Sequence, residues 1–431
     1  MSNPLYRNDR IGEFPDSWYA ATVDHPPLRP DLRGSVAADV CVIGAGYTGL
    51  NAARVLSKAG LKVIVLDAHR VGFGASGRNG GQVASGYNVS QRILAKKLGA
   101  ETAQDLWTLT EEAKADVRAY GNAIQHATGV AHGSYSDDER AHINEDAAFL
   151  NTAYGYDKVE VHDHHAFTSI VKSPLYKGGV IDRGAAHIHP LRYAFSLATA
   201  AEDAGATIYE TSPVHHIAKG ARLSIRTSKG RVTADHAVLA TNGYIGGLAR
   251  AVAAKVMPVN SFIIATEPLG DQAHEVLAQN IAVEDSKHFV NYYRCTDDKR
   301  LLFGGRASAR TAFPKDMAGL LAPRMVELFP QLTGVRVDYA WGGVLGVTLS
   351  ALPAIQRLGP NIVSAGGFSG HGVALSGLCG KILGEVILGQ ATRFDTLARL
   401  PTPNFPAGPL GGRTLLTALV TLTQLRQRLG L

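Results

Sequence analysis

The residues Gly44-Ala45-Gly46-Tyr47-Thr48-Gly49 have the types and spacing needed to hold a diphosphate. Gly44 permits a tight turn. Gly46 leaves the backbone open to a pyrophosphate. Gly49 lets a helix pack close to a strand. Asp67, with Ala68 beside it, can accept hydrogen bonds from a ribose diol, and its charge argues against a 2′-phosphate there. The elements that must position these residues are legible around them. Val40-Cys41-Val42-Ile43 reads as a buried parallel strand, and Leu50 to Ala59 as a helix stopped by Gly60. Leu61 to Leu66 reads as a second strand ended by Asp67. The helix start turns free N–H groups and a partial positive charge toward the phosphates. A G-x-G-x-x-G alone is common. Strand, helix, second strand and acid in this order define a dinucleotide site.

A second glycine-rich loop follows at once, from Gly72 to Gln82. Gly74, Ala75, Ser76, Arg78, Asn79, Gly80, Gly81 and Gln82 are its expected cofactor contacts. A nicotinamide dinucleotide does not require such a loop. A flavin ring, which lies against bare backbone, does. This stretch is similar to the FAD-dependent oxidoreductases of the D-amino-acid oxidase superfamily, and among them most resembles the γ-glutamylputrescine oxidase group. Three further stretches fit the resemblance, in order. Pro213-Val214 matches the place where the superfamily sets a residue near the adenine. Ala240-Thr241-Asn242-Gly243 matches its A-T-x-G turn. Gly367-Phe368-Ser369-Gly370-His371-Gly372 matches the C-terminal glycine motif. At that motif the family turns backbone N–H groups and a helix dipole toward the flavin pyrimidine.

The resemblance implies non-covalent FAD, because no cysteine falls beside Thr348. It also implies oxidation of an amine C–N bond: a hydride equivalent leaves the carbon beside nitrogen, and the imine hydrolyses. Tyr292, Trp341 and His371 are the expected substrate-side residues. Tyr292 matches a substrate tyrosine of glycine-oxidase-like members, the alternative being a core aromatic. Trp341 and Pro353 keep the family spacing. His371 either meets the flavin or the substrate, or faces solvent. The family's cationic positions are changed. Leu345 stands where amino-acid oxidases place a carboxylate-binding arginine, Ala374 where sarcosine oxidases use a lysine, and Leu302 near the oxygen-activating lysine. Loss of an arginine clamp argues against an ordinary α-amino acid. It suits an amine with a distal anionic group, such as γ-glutamylputrescine. Arg78, Arg294 and Arg306 are left as anion partners, with surface arginines as the alternative. The alternative substrate is an N-substituted glycine such as iminodiacetate or sarcosine. The electron acceptor is oxygen or a membrane quinone.

Composition sets the outer limits. The chain has 431 residues, 45% hydrophobic and 19% charged, enough for two cores. A net charge of +6 without a Lys/Arg block gives no reason to expect nucleic acid. Cys41, Cys295 and Cys379 form no disulfide framework, which fits a reducing, cytoplasmic setting. His162, His164 and His165 read as a solvated loop and not as a metal site. The polar N-terminus carries no signal peptide pattern. No run of about 18 apolar residues is present.

The expected fold is α/β. A doubly wound, Rossmann-like FAD-binding domain comes from residues 39–125, 178–255 and 355–400. A smaller α+β substrate domain with an antiparallel sheet comes from 126–177 and 256–354. Residues 1–38 form an N-terminal extension anchored by Trp18 to Ala21. Residues 130–190 are expected to hold short strands and loops, and Ser90 to His126 a helix. In the tail, 401–431, leucines from Leu415 to Leu429 recur on one helical face, with Arg426 and Arg428 near its end. That face either packs on the body or lies peripherally on the inner membrane surface.

Overall fold

The computed structural model describes residues 4–287 and 290–406. The expected tail helix, and Phe289 of an expected strand, lie outside them. Val40 to Ile43 are the buried end of a longer strand, Gly34–Ile43. Its outer half pairs in register with the lower half of Gly230–Leu239. Residues 34–38 thus belong to the sheet and not to a separate extension. The first sheet runs, in spatial order, Ala354–Arg357, Ile362–Gly366, Gly230–Leu239, Gly34–Ile43, Val63–Leu66 and Thr207–Tyr209. Its inner pairs are parallel, and Ala354–Arg357 is an antiparallel edge. The expected hairpin across Ser228 to Gly230 is present, with Leu223–Arg226 folded against Gly230–Leu239.

Chain direction from Gly34–Ile43 leads to Val63–Leu66 on one side, while Gly230–Leu239 occupies the other. The loops leaving these strands part at their C-terminal ends, which is where open α/β sheets place a ligand crevice. Helix Tyr47–Lys58 covers one face of the sheet and packs on helix Leu375–Ile387. Gly380 lies against the Thr48 carbonyl and Gly384 against Val55, so the two helix axes come close.

The second sheet is antiparallel apart from one parallel pair, Ala282–Asp285 with Ala127–Ser134. Strand Gly178–His187, expected in the cofactor domain, hydrogen-bonds here instead, between Ala127–Ser134 and Gln82–Val83. Ala127–Ser134 pairs with Ala282–Asp285 on one side, and this strand takes up the backbone groups on its other side. One row across this sheet joins His132, Glu284, Tyr292, Gly304, Ile263 and Trp341 in direct register. Residues opposed in register share a face. The other face carries Val283, Tyr293, Phe303 and Phe262 into a core closed by helices Met317–Leu328 and His164–Ile170.

Two helical expectations are corrected. Residues 137–154 form a helix, not short strands, begun by a capping box in which Ser136 and Glu139 bond each other's backbone. The helix expected over Ser90 to His126 divides into Gln91–Leu98 and Ala100–Arg118 at Gly99, whose φ of 87° no α-helix accepts.

Candidate active site

A cavity of about 410 Å³ opens at the C-terminal ends of the parallel strands. Of the expected cofactor residues it is lined by Gly44, Ala45, Gly46, Tyr47 and Thr48, by Asp67 and Ala68, and by Gly74, Ala75, Ser76 and Asn79. Val214, Thr241, Asn242, Phe368, Ser369, Gly370 and Gly372 also line it. Segments more than three hundred residues apart in sequence therefore meet around one space.

The geometry suits an anionic, elongated ligand. The helix over Tyr47–Lys58 starts at Gly46 with no side-chain cap of its own. Ser76 Oγ accepts from Tyr47 N at 3.1 Å, which ties the second glycine loop to the first. Helix Leu375–Ile387 also starts without a side-chain cap, and Gly372, Val373 and Ser376 near its start line the cavity. Two uncapped helix starts thus bring partial positive charge to one space. Gly44 has a φ of 107° and sits 2.6 Å, by the position a Cβ would take, from the Ala240 carbonyl. No other residue fits there. A Cβ on Gly46 would meet Ser76 Oγ at 2.8 Å.

Asp67 stands, partly buried, at the other end. Its Oδ2 accepts from Ala45 N at 2.7 Å and its Oδ1 from His69 N at 2.8 Å. Burial pushes its carboxyl up to about 6 despite these bonds. The carboxylate fixes the first glycine-rich turn and the start of the segment that leads to the second, and keeps lone pairs for a diol.

Other expected cofactor residues support this wall without lining it. Gly49 packs against the Gly44 carbonyl, where any side chain would collide. Gly81 N–H donates to Asn79 Oδ1 at 2.7 Å, and Gly367 N–H donates to Asn242 Oδ1 at 2.9 Å. Gly243 lies against the Leu345 carbonyl. Gly80 and Gln82 line a small recess with Tyr292 and Arg294.

Of the three arginines left as anion partners, two are engaged by the protein itself. Arg78 pairs with Asp9 at 2.9 Å, donates to the Phe73 and Gly342 carbonyls, and lies over the Phe73 ring. Arg294 donates to the Gly80 and Ile188 carbonyls. Both hold the flavin-type loop in place. Of the Arg306 side chain nothing is described.

The substrate-side residues separate. Tyr292 lies with its ring between Gly80 and Gly304, and its hydroxyl is 3.1 Å from Ser261 Oγ. Burial pushes its hydroxyl pKa up. Trp341 is 1% exposed, packs on Tyr19, and donates from Nε1 to the Arg78 carbonyl at 3.1 Å. It fastens the glycine-rich loop and faces neither the cavity nor the recess. His371 sits between Gly370 and Gly372, which line the cavity. Its Nε2 is buried without a partner among the described residues. Burial holds its imidazole below the usual range.

Sequence reasoning missed several lining residues. Leu5 and Tyr6 reach the Asp67 end from the N-terminus, and His215, Tyr244 and Val373 complete the wall. Val373 adjoins the recognised motif and was within reach of the sequence. Tyr6 had no local signal. Leu345, noted for the arginine it replaces, lines the cavity. Among the described residues, no group of three His, Cys, Asp or Glu is placed to hold a metal ion, and no helix is long and apolar enough to cross a membrane.

A doubly wound sheet with this crevice, roofed by a second sheet, defines a flavoprotein class. Residues 39–386 match the family described as DAO, FAD dependent oxidoreductase, and the chain belongs to that family. It is an FAD-dependent oxidoreductase. It is 37% identical over 428 residues to the Gamma-glutamylputrescine oxidoreductase of Escherichia coli (strain K12), covering 97% of this chain and 99% of that protein. It is 39% identical over 419 residues to the Probable oxidoreductase OrdL of Rhizobium meliloti (strain 1021), covering 96% of this chain and 97% of that one. In fold it is similar to the glycine oxidase from Geobacillus kaustophilus. The TM-score is 0.70 at 20% identity, over 83% of this chain and 96% of that chain.

Proposed function

We propose that the chain oxidises the C–N bond of an amine resembling γ-glutamylputrescine. The observation that carries this reading is the 37% identity to the γ-glutamylputrescine oxidoreductase across nearly both full lengths. The apolar Leu345 in the cavity wall supports it, because no arginine clamp for a free α-amino acid stands there.

In this reading Gly44 to Thr48 and Ser76 hold the FAD pyrophosphate, and Asp67 holds the ribose. Val214 borders the adenine. Asn79 to Gln82 would offer bare backbone to the flavin, and Ser369 to Gly372 would offer it a helix start. FAD held there would supply the acceptor for a hydride equivalent, two electrons and one proton, from the carbon beside nitrogen. Tyr292 forms the wall that positions this carbon. Trp341 acts through the loop it fastens and is a positioning residue. No cysteine lies beside the ring position, so the FAD is held without a covalent bond. The first unit in this division binds FAD and the second sheet binds substrate.

Electrons leave to oxygen or to a membrane quinone. A second reading, with an N-substituted glycine as substrate, draws on 24% identity over 334 residues to the sarcosine oxidase subunit beta of Rhizobium meliloti. One experiment separates the two. Purified holoenzyme is mixed without oxygen with γ-glutamylputrescine, sarcosine, iminodiacetate, glycine and D-alanine, and loss of flavin absorbance is followed. Bleaching by γ-glutamylputrescine at least about tenfold faster than by the others supports the first reading. Fastest bleaching by sarcosine or iminodiacetate supports the second, and rapid bleaching by D-alanine overturns both. Peroxide in stoichiometric yield on reoxidation identifies oxygen as acceptor.

A further inference from the structure

The row that carries Tyr292 continues to an ion pair between His132 and Glu284. Glu284 is opposed in register to Tyr292 on one side and to His132 on the other. All three side chains therefore share the face turned toward the glycine-rich loop and His371. His132 Nδ1 lies 3.3 Å from Glu284 Oε1, and Oε2 has no partner among the described residues. The two side chains are 34% and 30% accessible. Both are therefore partly open to solvent and within reach of a ligand from that face.

We propose that Glu284 is the anionic contact for the ammonium group of the amine substrate, set beside Tyr292 by the sheet register and steadied by His132. This rests on the amine reading above. The electrostatics agree with the geometry. Burial opposes charge on Glu284, but the hydrogen bond and charge of His132, with His371, outweigh it and hold the carboxyl below its usual range. Burial likewise opposes charge on His132, and Glu284, Asp285 and Glu139 outweigh it. Asp285 is turned to the opposite face, where Tyr135 and Asn291 donate to it. One oxygen of Glu284 thus lies against His132 and the other is left for a second partner. An ion pair in such a place costs desolvation and is a weak stabiliser. A ligand role explains why it stands on this face. The substrate's ammonium is the form captured, and it gives up a proton to solvent water before its C–H bond breaks. Glu284 therefore governs binding and not the limiting rate.

The test uses holoenzyme and γ-glutamylputrescine in anaerobic rapid mixing. For Glu284→Gln, we expect the apparent Kd to rise about 10- to 100-fold, the range for a hydrogen bond to a charged group. The limiting rate of flavin reduction should not fall, flavin content should stay the same, and Glu284→Asp should lie between. A Kd within twofold of wild type in Glu284→Gln would overturn the assignment. A second measurement needs no variant. An analogue with a hydroxyl in place of the terminal amine should bind wild type more weakly by a similar factor, and equal affinity would also overturn it. If wild-type flavin is not reduced by γ-glutamylputrescine, the amine reading fails and takes this inference with it. If it is reduced and Glu284→Gln binds equally well, the inference fails alone.

Discussion

Gly46 shows how much a single missing side chain decides. Its position opens the start of helix Tyr47–Lys58 to the cavity, with Ser76 Oγ already 2.8 Å from where a Cβ would stand. Gly46→Val should yield folded, colourless protein. A variant retaining full flavin absorbance would remove the phosphate role of this turn. His189 carries a pH dependence. Its Nδ1 accepts from Arg192 N at 3.3 Å and its Nε2 lies 3.2 Å from Thr22 Oγ1, so the neutral ring satisfies both contacts. Burial, then the charges of Arg294 and Arg192, pull its pKa down to about 3. An unfolded histidine takes up a proton below about 6.5, while the folded ring does not until about 3. This contribution to stability is therefore complete above about 6.5 and is lost toward pH 3, at about 1.4 kcal/mol per pH unit. His187, lowered to about 3 by burial, acts in the same direction, and Asp67, raised to about 6, acts in the opposite one. A comparison of wild type with His189→Asn isolates the one ring. The variant keeps a capping side chain, and its stability deficit should shrink as pH falls from 6.5 to 5. A constant deficit would contradict the neutral buried imidazole.

At the scale of elements, the legible parts were those whose signals are local. Strand, glycine turn, helix and Asp67 follow one another within thirty residues, so their order alone revealed the unit. The long helix Asp137–Tyr154 had a local signal too. Ser136 and Glu139 stand at capping-box spacing, but the His-rich and Asp-rich surroundings masked it. Its hydrophobic face is weak because only Ala147 is buried. Ser136→Ala should cost about 1 kcal/mol, read from urea unfolding. No change would mean that packing alone holds the helix start. Helix Leu375–Ile387 makes a stronger case. Gly380 touches the Thr48 carbonyl, so Gly380→Val must push apart the two helices whose starts face the cavity. That overpacking should cost about 1–3 kcal/mol and weaken FAD retention together. Lost stability with unchanged FAD affinity would separate helix packing from the site. What local signals could not supply was pairing. The place of Gly178–His187 in the second sheet, and the row from His132 to Trp341, depend on register between distant strands.

For the whole molecule, the site is made where two sheets face each other. The first supplies a crevice at the C-terminal ends of its parallel strands. The second carries a row that changes from buried and apolar at Trp341 and Ile263 to charged and partly accessible at Glu284 and His132. That gradient is absent from any short stretch of sequence, because each residue comes from a different strand. Truncation after Gly412 should leave flavin reduction by amine unchanged and abolish liposome co-sedimentation if electrons go to a membrane quinone. Full-length protein that never sediments with liposomes would favour oxygen. The central claim is oxidation of an amine C–N bond by bound FAD, and a single turnover tests it most directly. Holoenzyme in excess over γ-glutamylputrescine is allowed to react without oxygen, and the products are quantified. The account predicts one ammonia and one aldehyde for each flavin reduced. Flavin reduction without ammonia, or no reduction at all, would contradict it.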